Sequence, residues 1–197
     1  MKTKNSVILI IMVGLCATAT FHNASAQEDR WSGLTVTGTT YFISGPRPGR
    51  TLQFRLIINR LTTPNEVNQL NSALQSGQDE LMRTLSRMNA GRIEVGTGIG
   101  VPANAILATD EGDGRTKLTV LYQRYLRFAE LRSGARSQDY PFGYAELHVG
   151  RGDHEGMLIP AARIRLRGGN STWEVEDFGT FPARLMGLRV RGRGPVG

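Results

Sequence analysis

The sequence predicts an α+β domain, mainly antiparallel β. It would be a barrel or strongly curved sheet of about eight to ten strands with a short two-helix insertion. Three observations predict this. Short stretches of alternating apolar and polar residues recur along the chain, separated by clusters of Gly, Pro, Asn and Asp. One region, about 63–90, switches to helical spacing. No internal repeat and no linker interrupts the pattern after the N-terminal leader, so residues 27–197 read as a single domain.

Trp31 to Ser44, rich in Thr, Val and aromatics, reads as a long strand. A proline turn, Gly45 to Gly49, leads to a second strand, Thr51 to Arg60, with Leu52, Phe54, Leu56 and Ile58 on its core face and Gln53, Arg55 and Asn59 outward. Thr63-Pro64-Asn65-Glu66 then carries a helix start: Thr63 as N-cap, Pro64 in the first helical position, Glu66 closing a capping box. Val67, Leu70 and Leu74 mark the apolar face of this helix, and Gly77 ends it. Leu81, Met82, Leu85 and Met88 mark a second helix over Asp79 to Asn89, stopped by Gly91.

Arg92 to Gly98 and Asn104 to Thr109 read as strands around the run Gly96-Thr97-Gly98-Ile99-Gly100. That run suits a bend or bulge, because no helix follows it to receive a phosphate. Asp110 to Gly114 is an acidic hairpin turn. In Thr116 to Arg132, Thr119, Gln123, Arg127 and Glu130 share one helical face, yet the β-branched and aromatic content favours two strands broken near Arg124. Ser133 to Gly143 is an Ω-type loop, and Tyr144 to Val149 a further strand.

The C-terminal stretch is the most specific. Arg163, Arg165 and Arg167 alternate with Ile164 and Leu166; Gly168 to Ser171 supplies a turn; Glu174 and Glu176 then alternate with Trp173 and Val175. With Gly169-Asn170 at the turn centre, Leu166 meets Trp173 and Ile164 meets Val175. Arg165 then faces Glu174 and Arg163 faces Glu176, so these four residues form structural ion pairs. A last strand alternates Arg189, Arg191 and Arg193 with Leu188, Val190 and Gly192, and Pro182 before it marks a bend or an edge.

Residues 1–26 read as a secretory signal peptide: Lys2 and Lys4, an apolar core from Val7 to Leu15, and Ala24-Ser25-Ala26 as a small-residue cleavage site before Gln27. The expected location is therefore periplasmic or secreted. Cys16 is the only cysteine, so the chain after cleavage would hold neither disulfide nor catalytic thiol. Basic residues exceed acidic ones by 24 to 17, and only Lys2, Lys4 and Lys117 are lysines. The arginines are spread along the chain with no dense block and no aromatic-basic platform, which argues against a nucleic-acid partner and leaves weak attraction to anionic envelope polymers. No later apolar run is long enough to span a membrane.

No catalytic set assembles in sequence. The G-x-S-x-G elbow is absent. The leading reading is an exported, non-enzymatic β-rich domain that binds an envelope or extracellular ligand or protein, or plays a structural role. A concave sheet lined by Leu, Ile, Phe and Trp with arginines near it would suit an amphipathic or anionic ligand. The alternative is an exported metal-dependent hydrolase. It would use His148, Asp153 and His154 to hold zinc, or the Asp110 to Asp113 turn to hold calcium.

Overall fold

The computed structural model describes residues 30–43, 48–124, 139–152, 154–167, 172–177 and 182–192. Ten strands form one antiparallel sheet: β1 (Thr35–Tyr41), β2 (Thr51–Ile58), β3 (Gly91–Val95), β4 (Val101–Ala103), β5 (Ala105–Gly112), β6 (Arg115–Gln123), β7 (Phe142–Gly150), β8 (Glu155–Arg167), β9 (Thr172–Asp177) and β10 (Ala183–Arg191). Two helices, α1 (Pro64–Ser76) and α2 (Gln78–Ser86), form the insertion between β2 and β3. The strand order is β4-β3-β2-β1-β10-β8-β7-β6-β5, with β9 paired to β8 beside this path. The sheet is not closed into a barrel.

Its two ends are nevertheless consecutive in the chain, because Asn104 alone separates β4 from β5. The expected strand Asn104 to Thr109 is therefore broken at its first residue. Asn104 is buried, and its amide does the work of a ladder: Nδ2 donates to the Met88 carbonyl at 3.0 Å, and Oδ1 accepts from the Gln123 amide at 2.8 Å. The chain after β2 adds to this seam, with Thr62 N donating to the Ile106 carbonyl and Thr62 Oγ1 accepting from Ile106 N, each at 2.8 Å.

Alternation along the strands gives the sheet two faces. One is filled by its own side chains, among them Val36, Phe54, Leu56, Leu118, Leu147 and Leu185. On the other face α1 and α2 cover only part, packing Leu70, Leu74, Leu81 and Leu85 onto Leu121, Tyr144, Ile159, Trp173 and Val175. Trp173 Nε1 donates to Asn71 Oδ1 at 2.7 Å, and Gln78 Nε2 donates to the Ile164 carbonyl, tying both helices to the β8–β9 hairpin.

The predicted helix start is present in full. The Thr63 hydroxyl accepts from Glu66 N at 3.3 Å, Glu66 Oε2 accepts from Thr63 N at 2.9 Å, and Pro64 opens the helix. Arg60 adds a two-pronged contact to the same carboxylate, 2.7 Å on each oxygen. The β8–β9 register is the one the sequence specifies: Ile164 lies opposite Val175 and Leu166 opposite Trp173. Thr116 opens onto a strand, β6; the second half of that ambiguous segment lies outside the described residues.

Three differences from the reading bear on the architecture. The first strand begins at Thr35, not Trp31, because Gly33 is left-handed (φ 74°) and Leu34 N turns back to the Trp31 carbonyl. The glycine run 96–100, read as a bend or bulge, is the turn of the β3–β4 hairpin, with Arg92 closing onto the Ile99 carbonyl at 2.9 Å. β8 also runs through Pro160 for 13 residues. Below the proline β8 pairs with β10, and above it with β9, so the ring falls where one ladder ends before the next begins.

Two predictions follow from the seam and the cap. Asn104→Ala leaves the Met88 carbonyl and the Gln123 amide unpaired, each a loss of about 1–3 kcal/mol. The urea midpoint should fall with an unchanged m-value. Glu66 is held down to about 2 from its ordinary 4.5, first by the Arg60 hydrogen bonds, against an opposing push from burial, with the Thr63 amide and hydroxyl helping. Its charged form is favoured by folding, so its contribution is full above pH 4.5 and fades as pH falls toward 2. The stability gap between the natural chain and Glu66→Gln should be widest near neutrality and shrink across that window.

Candidate functional site

β10 presents its arginines by breaking its own alternation. Ala183 and Leu185 point into the core, so strict alternation would send Arg189 and Arg191 inward as well. A β-bulge intervenes: Met186 pairs with Thr39 and Arg189 with Thr37, which leaves two residues of β10, Gly187 and Leu188, opposite Gly38 alone. After the bulge Leu188 is buried and Arg189 and Arg191 face solvent. Gly187 takes φ 60° there, and a Cβ on Gly38 would lie 2.8 Å from the Leu188 side chain and 2.9 Å from the Met186 carbonyl. Two glycines thus turn both arginines outward.

The result is a trough on the face that the helices leave open. Thr37 and Thr39 form its floor on β1, Arg189 and Arg191 its wall on β10, and Gln53 and Arg55 its wall on β2; the hollow holds about 520 Å³. Register places Arg189, Thr37, Arg55 and Glu94 in one row across four strands. Glu94 contacts Arg55 at 3.5 Å. Among the described residues, neither Arg189 nor Arg191 has an acidic partner. The sequence showed this arginine row but not what stands beside it, because the opposing strands lie over a hundred residues earlier. Among the described residues, the Leu, Ile and Phe side chains of the other face pack on one another in a buried cluster.

A second hollow of about 580 Å³ lies along the helical pair, lined by groups such as Asn68, Gln69, Ser72, Ser76 and Thr84. Its carboxylates are engaged elsewhere, Glu66 with Arg60 and Glu80 with Arg83 at 2.9 Å. It presents neutral groups together with the Arg87 guanidinium.

The two histidines have separate surroundings. His148 lies between two carboxylates: Nδ1 meets Glu111 Oε2 at 2.9 Å and Nε2 meets Glu146 Oε1 at 3.1 Å. Glu146 is itself buried, and its Oε2 accepts from the Tyr144 hydroxyl at 2.8 Å. Burial pushes the Tyr144 hydroxyl well above its ordinary range, with the Glu146 charge adding to it. His154 faces two backbone carbonyls instead, Leu188 at Nδ1 and Gly150 at Nε2. Asp153 lies outside the described residues. In the acidic turn, Asp110 accepts from Gly112 N at 2.8 Å while Glu111 turns to His148 and Arg115. Among the described residues, no three His, Cys, Asp or Glu side chains converge to hold a metal ion.

On β8 and β9 the backbone places Arg163 opposite Glu176 and Arg165 opposite Glu174. Among the described residues a diagonal ion pair forms, Arg165 to Glu176 at 2.8 Å, and Tyr140 donates to the other oxygen of Glu176 at 2.7 Å. Long arginine side chains reach such diagonal neighbours readily.

The His148 chain should behave as a coupled unit. His148→Leu leaves the buried Glu146 without its imidazole donor, at a cost of about 1–3 kcal/mol. Combined with Glu146→Leu, the loss should fall short of the sum by about 0.5–3 kcal/mol in a double-mutant cycle read by urea unfolding.

Compared with models of protein families, with curated proteins and with solved structures, the chain matches none.

Proposed function

We propose that the protein is an exported, non-catalytic binding protein, and that its ligand is a polyanion taken up by the arginine-walled trough between β10 and β2. One observation carries the reading: Arg189 and Arg191 are turned outward by a bulge, beside Arg55, with Glu94 the one acidic residue in the lining. Guanidinium forks suit the paired oxygens of carboxylate, sulfate and phosphate groups. From Gln27 onward 22 basic residues stand against 17 acidic ones, an excess that favours approach of such a ligand. Export rests on the leader, whose basic start, apolar core and Ala24-Ser25-Ala26 site suit cleavage before Gln27.

Retention on heparin, a sulfated polysaccharide, tests the binding site. The mature chain should bind at low salt and elute as salt rises. The double variant Arg189→Ala, Arg191→Ala should elute earlier, with its far-ultraviolet circular dichroism intact. The charge-matched variant Arg83→Ala, Arg87→Ala, at the end of α2 and just beyond it, should elute near the natural chain. Equal shifts for both variants would reduce the effect to net charge and remove the site. N-terminal sequencing of the exported protein should begin at Gln27.

A further inference from the structure

Among the described residues, five large apolar side chains stand exposed: Tyr41, Ile43, Ile99, Met186 and Val190. All five belong to β1 and the residues just after it, to β10 and to the β3–β4 turn, the part of the sheet that carries the arginine trough. Alternation sorts them by face. Tyr41 and Ile43 follow Thr37 and Thr39 on the trough side of β1, and Met186 stands across from Thr39. Ile99 borders the same side, since Arg92, which shares a face of β3 with Glu94, donates to the Ile99 carbonyl at 2.9 Å. Val190 pairs with Val36 and alternates to the other face.

The trough is therefore a basic centre with an apolar margin. Arg55, Arg189 and Arg191 stand in its walls. Tyr41 and Ile43 lie past one end of its floor, Met186 continues the β10 wall, and Ile99, 87% exposed, lies beyond the β2 wall. Arg184 stands opposite Tyr41 and adds to the charge. The basic region stops at β8, where Glu155 faces Met186.

This order selects among anionic partners. A protein interface has the reverse order, an apolar centre inside a polar rim. A free polyanion would use the arginines and gain nothing from the margin. A phospholipid surface uses both: its phosphates meet the guanidiniums, while apolar side chains around them enter the acyl layer beside the same headgroups. A tyrosine suits that boundary, with its ring toward the acyl layer and its hydroxyl toward water.

We infer that the arginine trough and its margin dock on an anionic phospholipid bilayer, with headgroup phosphates held by Arg189 and Arg191 and with Tyr41, Ile43, Met186 and Ile99 entering the interface. The inference rests on the polyanion-binding reading above and names the polyanion as a membrane surface.

Co-sedimentation with vesicles of equal parts phosphatidylglycerol and phosphatidylcholine, beside vesicles of phosphatidylcholine alone, tests it. The mature protein should bind the anionic vesicles and leave the neutral ones. Arg189→Ala with Arg191→Ala should weaken binding by about thirtyfold, roughly fivefold for each arginine near an anionic surface. Ile43→Ser with Ile99→Ser should weaken it by about tenfold, a partial loss of apolar burial, and leave elution from heparin unchanged. Both isoleucines are exposed, so the circular dichroism of this variant should match the natural chain. The fluorescence of an Ile99→Trp variant should be quenched by anionic vesicles brominated along their acyl chains. Equal binding to both kinds of vesicle would overturn the membrane inference. So would anionic binding that the isoleucine variant leaves intact, with no quenching; heparin retention through the two arginines would then keep the polyanion reading standing. Self-association of the natural chain, abolished in the isoleucine variant, would overturn it in favour of a second copy. Vesicles and heparin both indifferent to the arginine pair would overturn both readings.

Discussion

The architecture depends on one side-chain amide. Ten antiparallel strands leave two ends, and here the chain itself passes from one to the other through Asn104. At that passage the backbone cannot pair with both neighbours at once. A carboxamide resolves the conflict because it carries donor and acceptor on one short arm, and it supplies the Met88 carbonyl and the Gln123 amide together. Aspartate lacks the donor and leucine lacks both. With this passage satisfied, the open sheet presents one face for dense packing and another that the helices cover only in part.

That partial cover divides the structure by chemistry. Where α1 and α2 lie, the outer face is apolar and rich in large residues such as Tyr144, Phe142 and Trp173. Beyond them the same face becomes charged, first with the Glu111–His148–Glu146 chain and then with the arginines of β10 and β2. The carboxylates around His148 are satisfied within the protein, whereas the arginine trough is not. An internally balanced charge cluster stabilises a fold; one left unbalanced is available to a partner.

Much of this was legible in the sequence, for local reasons. The capping box at Thr63 and Glu66 needs only four consecutive residues, and the β8–β9 hairpin pairs residues a few positions either side of one turn. The outward face of β10 was readable too, since Leu188, Arg189, Val190 and Arg191 alternate as they stand. Long-range placement was not. Nothing near Arg189 announces that Thr37 and Arg55 lie beside it, and nothing near His148 announces Glu111 across the β5–β6 hairpin. Arg165 likewise stands opposite Glu174 in register but reaches Glu176, a choice made by side-chain length rather than by strand pairing.

The changeover at Pro160 also has a kinetic meaning. Below it, β8 is held on both sides by β7 and β10; above it, β7 reaches as far as Ala162, and beyond that the strand has β9 and the helices for support. A ladder divided in this way need not open as a whole. The paired segments 163–167 and 172–177 would open together with the helical pair while the rest of the sheet stays paired, a local excursion below the energy of global unfolding. Amide protons of Arg165 and Val175 would then exchange on a faster clock than those of Leu147 and Leu158. The molecule would thus contain two cooperative units within one continuous sheet, meeting at a residue that has no amide proton to report.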